Sequence, residues 1–363
     1  MKRRLYLIGN TFRQNSAFKA YIIRSIEAFG ALHSVEYFDE ATRDFYSELE
    51  SRVLQNESIY IVTNAKSFTL VGKLLSSLTS DNLVIKNGEL IPSKCEHFKT
   101  NSYLLHLQNS ALNVIQALES DPLAEILLTQ TTSTKKLHFF TDAIKTCIDS
   151  LKPLSQQYNV TLTYSQVVVG WIEVLVTPTQ FGSVEGFLHK AMQQHPQQII
   201  ITEDIVKHIV ETLIDTNQKI SLAESCTGGL LAYYFTSQAG VSAVFDGSLV
   251  TYSNILKENW IAVEHETLVA NGAVSEATVQ EMCSGVLNVS NADYALAISG
   301  IAGPDGGTAE KPVGTVVIGV ASTEHQSVVT HHFKGDRKYI QEQSALTALK
   351  MLILGHKKVF FTN

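Results

Sequence analysis

The chain alternates short apolar runs with longer stretches in which apolar residues recur every three or four positions. Short runs of this kind predict buried β-strands, and the longer repeat predicts amphipathic α-helices. Over the first 80 residues strand and helix alternate three times, which predicts a parallel sheet with helices on its faces. The predicted strands are 3–10, 34–38 and 58–64, and the predicted helices are 16–29, 42–54 and 68–78.

A different pattern begins near residue 135. It predicts a strand at 137–142, a helix at 143–158, two strands around Gly170 and a helix at 184–193. A short polar linker, QQHPQQ, follows at 193–198. The chain then returns to alternating strands and helices up to its last predicted helix.

The stretch Lys219–Gly229, KISLAESCTGG, predicts a buried strand that ends in small hydroxyl residues and two glycines before a helix begins. Such a junction leaves backbone N–H groups at the start of the helix free, so it suits a nucleophile, an oxyanion or a phosphate. The simpler interpretation is that Ser225 or Thr227 only caps the helix, while the glycines allow close packing. This segment alone leaves both open.

Two later segments have the same character. One is a strand that ends in Thr251 and Tyr252 and leads into a helix bearing Lys257 in its first turn. The other is a strand, a glycine-rich turn at 299–307 and a second strand at 313–321. Glycines in such a turn let backbone amides approach an anion closely, which side chains would prevent.

Composition sets the broad class of protein. A length of 363 residues suggests two or three domains, and 45% hydrophobic with 17% charged residues is typical of a globular protein. The net charge of −7 gives no strong nucleic-acid signal, because binding through phosphates needs a basic surface. Four dispersed cysteines, no signal peptide and no long apolar run predict a cytoplasmic protein with no membrane contact.

Four motifs occur in a fixed order: AESCTGG at 223–229, VTYSNILK at 250–257, ISGIAGPDGG with KPVGTV at 298–316, and FKGDR at 333–337. Together they closely resemble the carboxyl-terminal domain of the CinA-like (competence/damage-inducible) family. That resemblance implies a nicotinamide mononucleotide deamidase. It extends from about Glu203 to the end of the chain.

The resemblance also implies a multidomain α/β fold. Residues 1–130 resemble, more faintly, the family's molybdopterin-binding-like α/β domain, and 131–198 take the place of its small α+β, KH-like connector. Residues 199–363 correspond to the CinA domain, a three-layer α/β/α structure. The connector shows neither a GxxG loop nor a basic cluster, so its KH-like shape does not predict RNA binding.

Hydrolysis of a carboxamide needs a nucleophile, a base, donors for the oxyanion and an acid for the leaving ammonia. The motifs contain no metal ligands or histidine, so a hydroxyl nucleophile is favoured, with no cofactor and no metal. The resemblance implies a constellation of Ser225 as nucleophile, Lys257 as base and Tyr252 as relay or orienting group. A desolvated lysine can have a pKa low enough for this role.

Candidate substrate contacts surround this constellation. Donors for the phosphate of the mononucleotide are expected from the glycine-rich turn and from Arg337, whose guanidinium can grip phosphate bidentately. Glu224 could bind the ribose or simply hold the turn, and the sequence leaves both open. The predicted substrate-binding residues are Glu224, Thr227, Gly228, Ser299, Gly300, Gly303, Gly306 and Arg337.

The amino-terminal segment departs from the family pattern. The family's first turn carries a glutamate and its second loop carries glycines and two aspartates. Here these turns read IGNTF at 8–12 and TNAKSFT at 63–69. Without the glycines and carboxylates, a phosphate cradle and a hard-cation site are not expected, so we predict a catalytically silent domain.

Two alternatives remain. One is a non-enzymatic accessory protein in competence or DNA recombination. The other is a retained ADP-ribose pyrophosphatase activity in the amino-terminal domain. As partners the resemblance implies nicotinamide mononucleotide and a second copy of the chain in a homodimer.

Overall fold

The computed structural model describes residues 2–39, 43–129 and 134–361. The chain forms two compact units, 1–133 and 134–363. The predicted domain boundary at 130/131 and the start of the predicted helix at Thr42 lie outside the described residues. Each unit is described by itself below.

The amino-terminal unit contains one six-stranded sheet with the strand order β2-β1-β3-β8-β7-β6 and a separate hairpin, β4-β5. The strands β2, β1 and β3 are parallel, as the alternating pattern predicts. The strand β8 is parallel to β3, β7 is antiparallel to β8, and β6 is antiparallel to β7. In chain order its elements are β1 (Arg3–Ile8), α1 (Thr11–Gln14), α2 (Ser16–Glu27), β2 (Ser34–Phe38), α3 (Arg43–Arg52), β3 (Ser58–Thr63), α4 (Ala65–Leu78), β4 (Leu83–Lys86), β5 (Glu89–Pro92), β6 (His97–Lys99), β7 (Ser102–Leu107) and β8 (Ser110–Gln116).

The two turns that depart from the family pattern meet at the carboxyl ends of β1 and β3. Asn64 caps α4 by accepting the Ser67 N–H at 2.8 Å. A β-carbon at Gly9 would lie 2.7 Å from the Asn64 side-chain nitrogen. The first turn is therefore filled by Asn64 instead of being left open.

The carboxyl-terminal unit contains two sheets. The first has the antiparallel order β10-β11-β9-β12, and α5 and α6 cover one face with residues such as Leu151 and Phe187. Its strand β12 continues this sheet past residue 198, the last residue of the predicted connector. The elements are β9 (Lys135–Phe140), α5 (Ile144–Gln157), β10 (Val160–Val168), β11 (Trp171–Pro178), α6 (Val184–Gln194) and β12 (Ile199–Ile201).

The second sheet has the order β14-β13-β15-β16-β17. The strand β13 runs parallel to β14 and β15, and β16 is antiparallel to both of its neighbours, β15 and β17. The elements are α7 (Ile205–Asp215), β13 (Ile220–Glu224), α8 (Leu230–Thr236), β14 (Phe245–Val250), α9 (Asn254–Ile261), α10 (His265–Asn271), α11 (Glu276–Val289), β15 (Tyr294–Gly300), β16 (Thr315–Ser322), β17 (Gln326–His332), α12 (Arg337–Gly355) and α13 (Lys357–Phe360).

Helices cover both faces of the second sheet, because residues of a strand alternate between its two sides. Ile220 and Leu222 of β13 pack on α7, α8 and α12, while Ala223 packs on α9 and α11. This is the three-layer α/β/α arrangement expected for the last domain, and the prediction of a multidomain α/β protein is confirmed. Within the described ranges, no helix is long and apolar enough to span a bilayer.

Candidate active site

Ser225 lies at the carboxyl end of β13, in the interior of the second sheet. Its neighbours β14 and β15 are parallel to β13, so all three strands end at the same edge of the sheet. The Ser225 N–H donates to the Ile298 carbonyl at 2.9 Å, which extends the pairing of β13 with β15 by one bond. The sheet backbone therefore fixes Ser225, whose side chain is buried.

Lys257 reaches this edge from α9, the helix that follows β14. Ser253 caps α9 by accepting the Leu256 N–H at 3.4 Å, and Lys257, only 1% exposed, lies on the buried side of its first turn. The Lys257 Nζ lies 3.2 Å from the Ser225 Oγ and 2.7 Å from the Thr251 carbonyl oxygen. The residues expected to act as nucleophile and base are thus in direct contact.

Burial lowers the pKa of Lys257 to about 8, because the ammonium loses its hydration. A neutral amine has two N–H donors and one lone pair. With one N–H donated to the Thr251 carbonyl, the lone pair can face the Ser225 hydroxyl. Burial raises the pKa of the neighbouring Cys226 thiol to about 12, so that thiol stays protonated, and it is the Ser225 hydroxyl that contacts the Lys257 amine.

Glu224 is fully buried directly before Ser225. Its carboxylate accepts the N–H groups of Gly229, Leu231 and Ala232 at 2.9 to 3.1 Å and the Ser248 hydroxyl at 3.1 Å. The structure therefore gives Glu224 the role of holding the turn and not that of a ribose ligand. It also corrects the expectation of free N–H groups at the start of α8, because the Glu224 carboxylate already occupies that position.

Tyr252 does not lie on the Ser225–Lys257 pair. Its side chain is 59% exposed, and its hydroxyl accepts a hydrogen bond from Nη2 of Arg337 at 3.2 Å. In the described chain this hydroxyl makes no hydrogen bond to Ser225 or Lys257. The structure brings together two members of the expected constellation, and Tyr252 contacts the expected phosphate ligand.

Arg337 is the first residue of α12, and Asp336 caps this helix. Its Nη1 donates to the Gly303 carbonyl at 2.8 Å. Arg337 therefore links the glycine-rich turn to Tyr252, which lies directly before Ser253, the cap of α9. A guanidinium has five N–H donors, and these two hydrogen bonds leave three for a ligand.

Two of the expected substrate contacts around the glycine-rich turn serve the fold. The Ser299 hydroxyl is buried and donates to the Ala273 carbonyl at 2.7 Å. A β-carbon at Gly300 would lie 2.7 Å from Cγ2 of Val316 on the paired strand, so strand packing alone requires this glycine. The Ser299 side chain is therefore closed to a substrate, whereas Gly300 is half-buried and its role as a substrate contact stays a prediction.

Gly303 and Gly306 adopt φ angles of 80° and 89°, which favour glycine. A β-carbon at Gly303 would lie 2.5 Å from Cγ1 of Val313, whereas at Gly306 the nearest atom would be 3.8 Å away. No protein acceptor within the described part of the chain takes the N–H groups of Gly303, Gly306 or Gly307. Gly306 and Gly307 are exposed, so an anion could reach their amides, whereas Gly303 is buried.

Thr227 and Gly228 form the other rim of the site. The Thr227 hydroxyl is buried and has no hydrogen-bond partner among the described residues. Gly228 is exposed with φ 61°, and a β-carbon there would meet no atom within 4 Å. The space above this turn is therefore open beside the Ser225–Lys257 pair.

Sequence reasoning missed two residues of this region. Thr251 supplies the carbonyl that holds Lys257, and its own buried hydroxyl lacks a partner in the described structure. Gln341 of α12 donates to the Cys226 carbonyl at 2.7 Å. Thr251 could have been found, because it stands at a strand end beside other hydroxyl residues. No sequence pattern indicated the role of Gln341, because it lies 115 residues from Cys226 along the chain.

Comparison with protein families gives a match to the CinA C-terminal domain over residues 202–354. A CinA-like protein of Fervidobacterium nodosum is 31% identical over 332 residues, which cover 87% of this chain and 80% of that protein. A CinA-like protein of Thermotoga maritima is 45% identical over 150 residues, which cover 41% of this chain and 36% of that protein.

Two solved structures are similar to part of this chain. The competence/damage inducible protein CihA of Agrobacterium tumefaciens is 41% identical, with a TM-score of 0.40, covering 41% of this chain and 92% of that one. The competence damage-inducible protein A of Klebsiella pneumoniae is 38% identical, with a TM-score of 0.41, covering 42% of this chain and 96% of that one.

Proposed function

The chain belongs to the CinA-like family, and from this premise we propose that it is an amidohydrolase that converts nicotinamide mononucleotide to nicotinate mononucleotide and ammonia. The observation that carries the proposal is the contact of 3.2 Å between Lys257 Nζ and Ser225 Oγ, with the lysine buried and its pKa lowered to about 8. A buried lysine with a serine as its neighbour is a base and nucleophile in position for acyl transfer.

In the first step, neutral Lys257 takes the Ser225 proton while Oγ attacks the carboxamide carbon. The tetrahedral intermediate collapses as the C–N bond breaks, and the Lys257 ammonium returns its proton to the departing ammonia. An ester between Ser225 and the nicotinoyl group remains. Water, deprotonated by Lys257, then attacks this ester and releases nicotinate mononucleotide with Ser225 regenerated.

The phosphate of the substrate is assigned to Arg337 and the amides of the glycine-rich turn. The remaining N–H donors of Arg337 and the unpaired N–H groups of the exposed Gly306 and Gly307 support this assignment. Tyr252 is proposed to line the entrance, because its hydroxyl is bonded to Arg337. The resemblance further supports a homodimer as the functional form.

Ammonia release from nicotinamide mononucleotide, with no added metal, tests the proposal through two matched lysines. Lys257→Met removes the base and should lower kcat by at least about a hundredfold, as loss of a general base does. Lys350→Met is the control, because Lys350 also has a pKa lowered by burial and also donates to a carbonyl, that of Val169 at 2.7 Å.

The proposal predicts that Lys350→Met keeps most of the activity. Equal activity of the Lys257→Met variant and wild type would show that Lys257 is not the base of the reaction. If wild type releases ammonia from other carboxamides but not from the mononucleotide, the hydrolytic site stands and the substrate assignment fails.

A further inference from the structure

The turn after Ser225 uses most of its backbone N–H groups internally. Every N–H from residue 228 to residue 232 has an acceptor, which is Ser225 O for 228, Thr227 O for 230, and the Glu224 carboxylate for 229, 231 and 232. The amino-terminal end of α8 is therefore closed to any external anion. Since buried backbone groups are nearly always paired, the amides left over in this turn need an explanation.

Two amides are left over, those of Cys226 and Thr227. No carbonyl or carboxylate in the described part of the chain accepts either N–H, and the Cys226 N–H meets only the sulfur of its own side chain. Both residues are buried, and they are the two residues that come after the nucleophile Ser225 in the chain. Their neighbour Gly228 faces open space, so a ligand bound to Ser225 could reach these N–H groups.

Gln341 fixes the orientation of the peptide between these two residues. Its Nε2 donates to the Cys226 carbonyl at 2.7 Å from α12. The Cys226–Thr227 peptide is trans, because the one cis bond among the described residues is Gly303–Pro304. In a trans peptide the C=O and N–H point in opposite directions, so a carbonyl held towards α12 turns the Thr227 N–H away from that helix.

We propose that the N–H groups of Cys226 and Thr227 form the oxyanion site of the amide hydrolysis, and that Gln341 is the residue that positions the Thr227 N–H. This inference rests on the proposed function, because the oxyanion arises when Ser225 attacks a carboxamide. In the tetrahedral intermediate the former carbonyl oxygen carries the negative charge, and two fixed N–H donors beside the nucleophile stabilise it. Gln341 touches no reacting atom and acts only through the Cys226 carbonyl.

The stabilisation is needed in the transition state and not in the bound substrate. Loss of the Gln341 hydrogen bond should therefore lower kcat for nicotinamide mononucleotide roughly tenfold, less than the loss of a whole oxyanion donor, and leave KM within about twofold. A purely structural role would instead lower the unfolding temperature in proportion to the lost activity.

The test compares Gln341→Met with Gln343→Met in the full chain. Gln343 is a matched control on the same helix, also half-buried, whose Nε2 donates to the Val167 carbonyl at 3.2 Å, away from Ser225. Gln341→Glu is a second variant of similar shape that lacks the N–H donor at neutral pH. We expect low kcat with normal KM in both Gln341 variants, at unfolding temperatures close to that of Gln343→Met.

A second readout does not depend on the natural substrate. A serine-directed fluorophosphonate forms an Oγ–P bond with Ser225 as fluoride leaves, Lys257 takes the proton, and the phosphoryl oxygen occupies the oxyanion site. Labelling of Ser225, followed by intact-protein mass spectrometry, should be slower in Gln341→Met than in Gln343→Met.

The two proposals fail in different ways. If wild type releases ammonia but the Gln341 and Gln343 variants share its kcat and labelling rate, the oxyanion assignment is overturned and the deamidase stands. If wild type releases no ammonia but labels at Ser225 faster than Gln341→Met does, the oxyanion site stands and the substrate is another acyl compound.

Discussion

In the proposed mechanism the chemistry depends on Lys257, because only its neutral form can accept the Ser225 proton. Burial lowers its pKa to about 8, so kcat/KM should rise about tenfold per pH unit below pH 8 and level off above it. Initial rates of ammonia release between pH 6 and pH 9.5 measure this. A flat profile over that range would contradict Lys257 as the base.

The same pKa has a consequence for stability. The folded value of about 8 lies below the ordinary lysine value of 10.5, so the unfolded chain binds more protons between these two pH values. The contribution of Lys257 to the free energy of unfolding therefore rises with pH across this window. Burying the ammonium is unfavourable below pH 8, so Lys257 lowers the stability of the fold at those pH values.

Glu224 is the residue that holds the nucleophile turn, since its carboxylate accepts four hydrogen bonds. Glu224→Gln places an NH₂ group against at least one N–H donor and should lower the free energy of unfolding by about 1 to 3 kcal/mol. Urea denaturation measures this, with the exposed Glu211→Gln as control. Equal stability of both variants would mean that the turn holds without the carboxylate.

The sequence predicted Ser225 and Lys257 as the reacting side chains, which stays a prediction, but it did not indicate which residues support them. Ser225 and Lys257 belong to long motifs that lie at the ends of two neighbouring strands, with Lys257 on the helix that follows the second. The local path of the chain decides whether Glu224 is buried. It also decides whether its carboxylate binds a ribose or accepts hydrogen bonds from the turn. The contact of Gln341 with Cys226 arises from the packing of α12 on the sheet, which no local pattern specifies.

At the scale of elements, α9 carries the base, and its position depends on α11. A β-carbon at Gly285 of α11 would lie 1.8 Å from the carbonyl oxygen of Ile261, the last residue of α9. Gly285→Ala must push the two helices apart, which should cost about 1 to 3 kcal/mol of stability and lower kcat as Lys257 shifts. The neighbouring exposed Ser284→Ala is the control. Wild-type stability and activity in Gly285→Ala would contradict this dependence.

The strands and helices of the carboxyl-terminal half agree closely with the sequence pattern, because their apolar runs are long and end in glycine or hydroxyl residues. The strands between residues 83 and 116 were not predicted. Three of them, β4, β5 and β6, have only three or four residues, and most of the five pair only with each other. A signal was present at Gln108–Asn109, where two apolar runs meet at a turn and Gln108 adopts φ 53°. The predicted helix at 68–78 begins three residues earlier, at Ala65, because Asn64 caps it.

At the scale of the whole molecule, the amino-terminal unit contains the predicted parallel strands, but its turns differ from those that form a phosphate cradle in the family pattern. Asn64 fills the first turn at Gly9, and neither turn carries the family's carboxylates. We therefore predict that the full chain, supplied with Mg²⁺ and ADP-ribose, releases no AMP under conditions in which it releases ammonia from nicotinamide mononucleotide. Metal-dependent AMP formation would show that the unit is a second enzyme. The division into three domains, with a separate connector at 131–198, stays a prediction.

The account as a whole depends on Ser225. The most direct measurement is the rate of ammonia release from nicotinamide mononucleotide by the full chain without added metal, for wild type and for Ser225→Ala, with circular dichroism to show that both are folded. We predict one nicotinate mononucleotide for each ammonia with wild type, and no ammonia above background with Ser225→Ala. An unchanged rate in the variant, or no ammonia from wild type, would contradict a serine-dependent deamidase and would favour an accessory role that does not need this site.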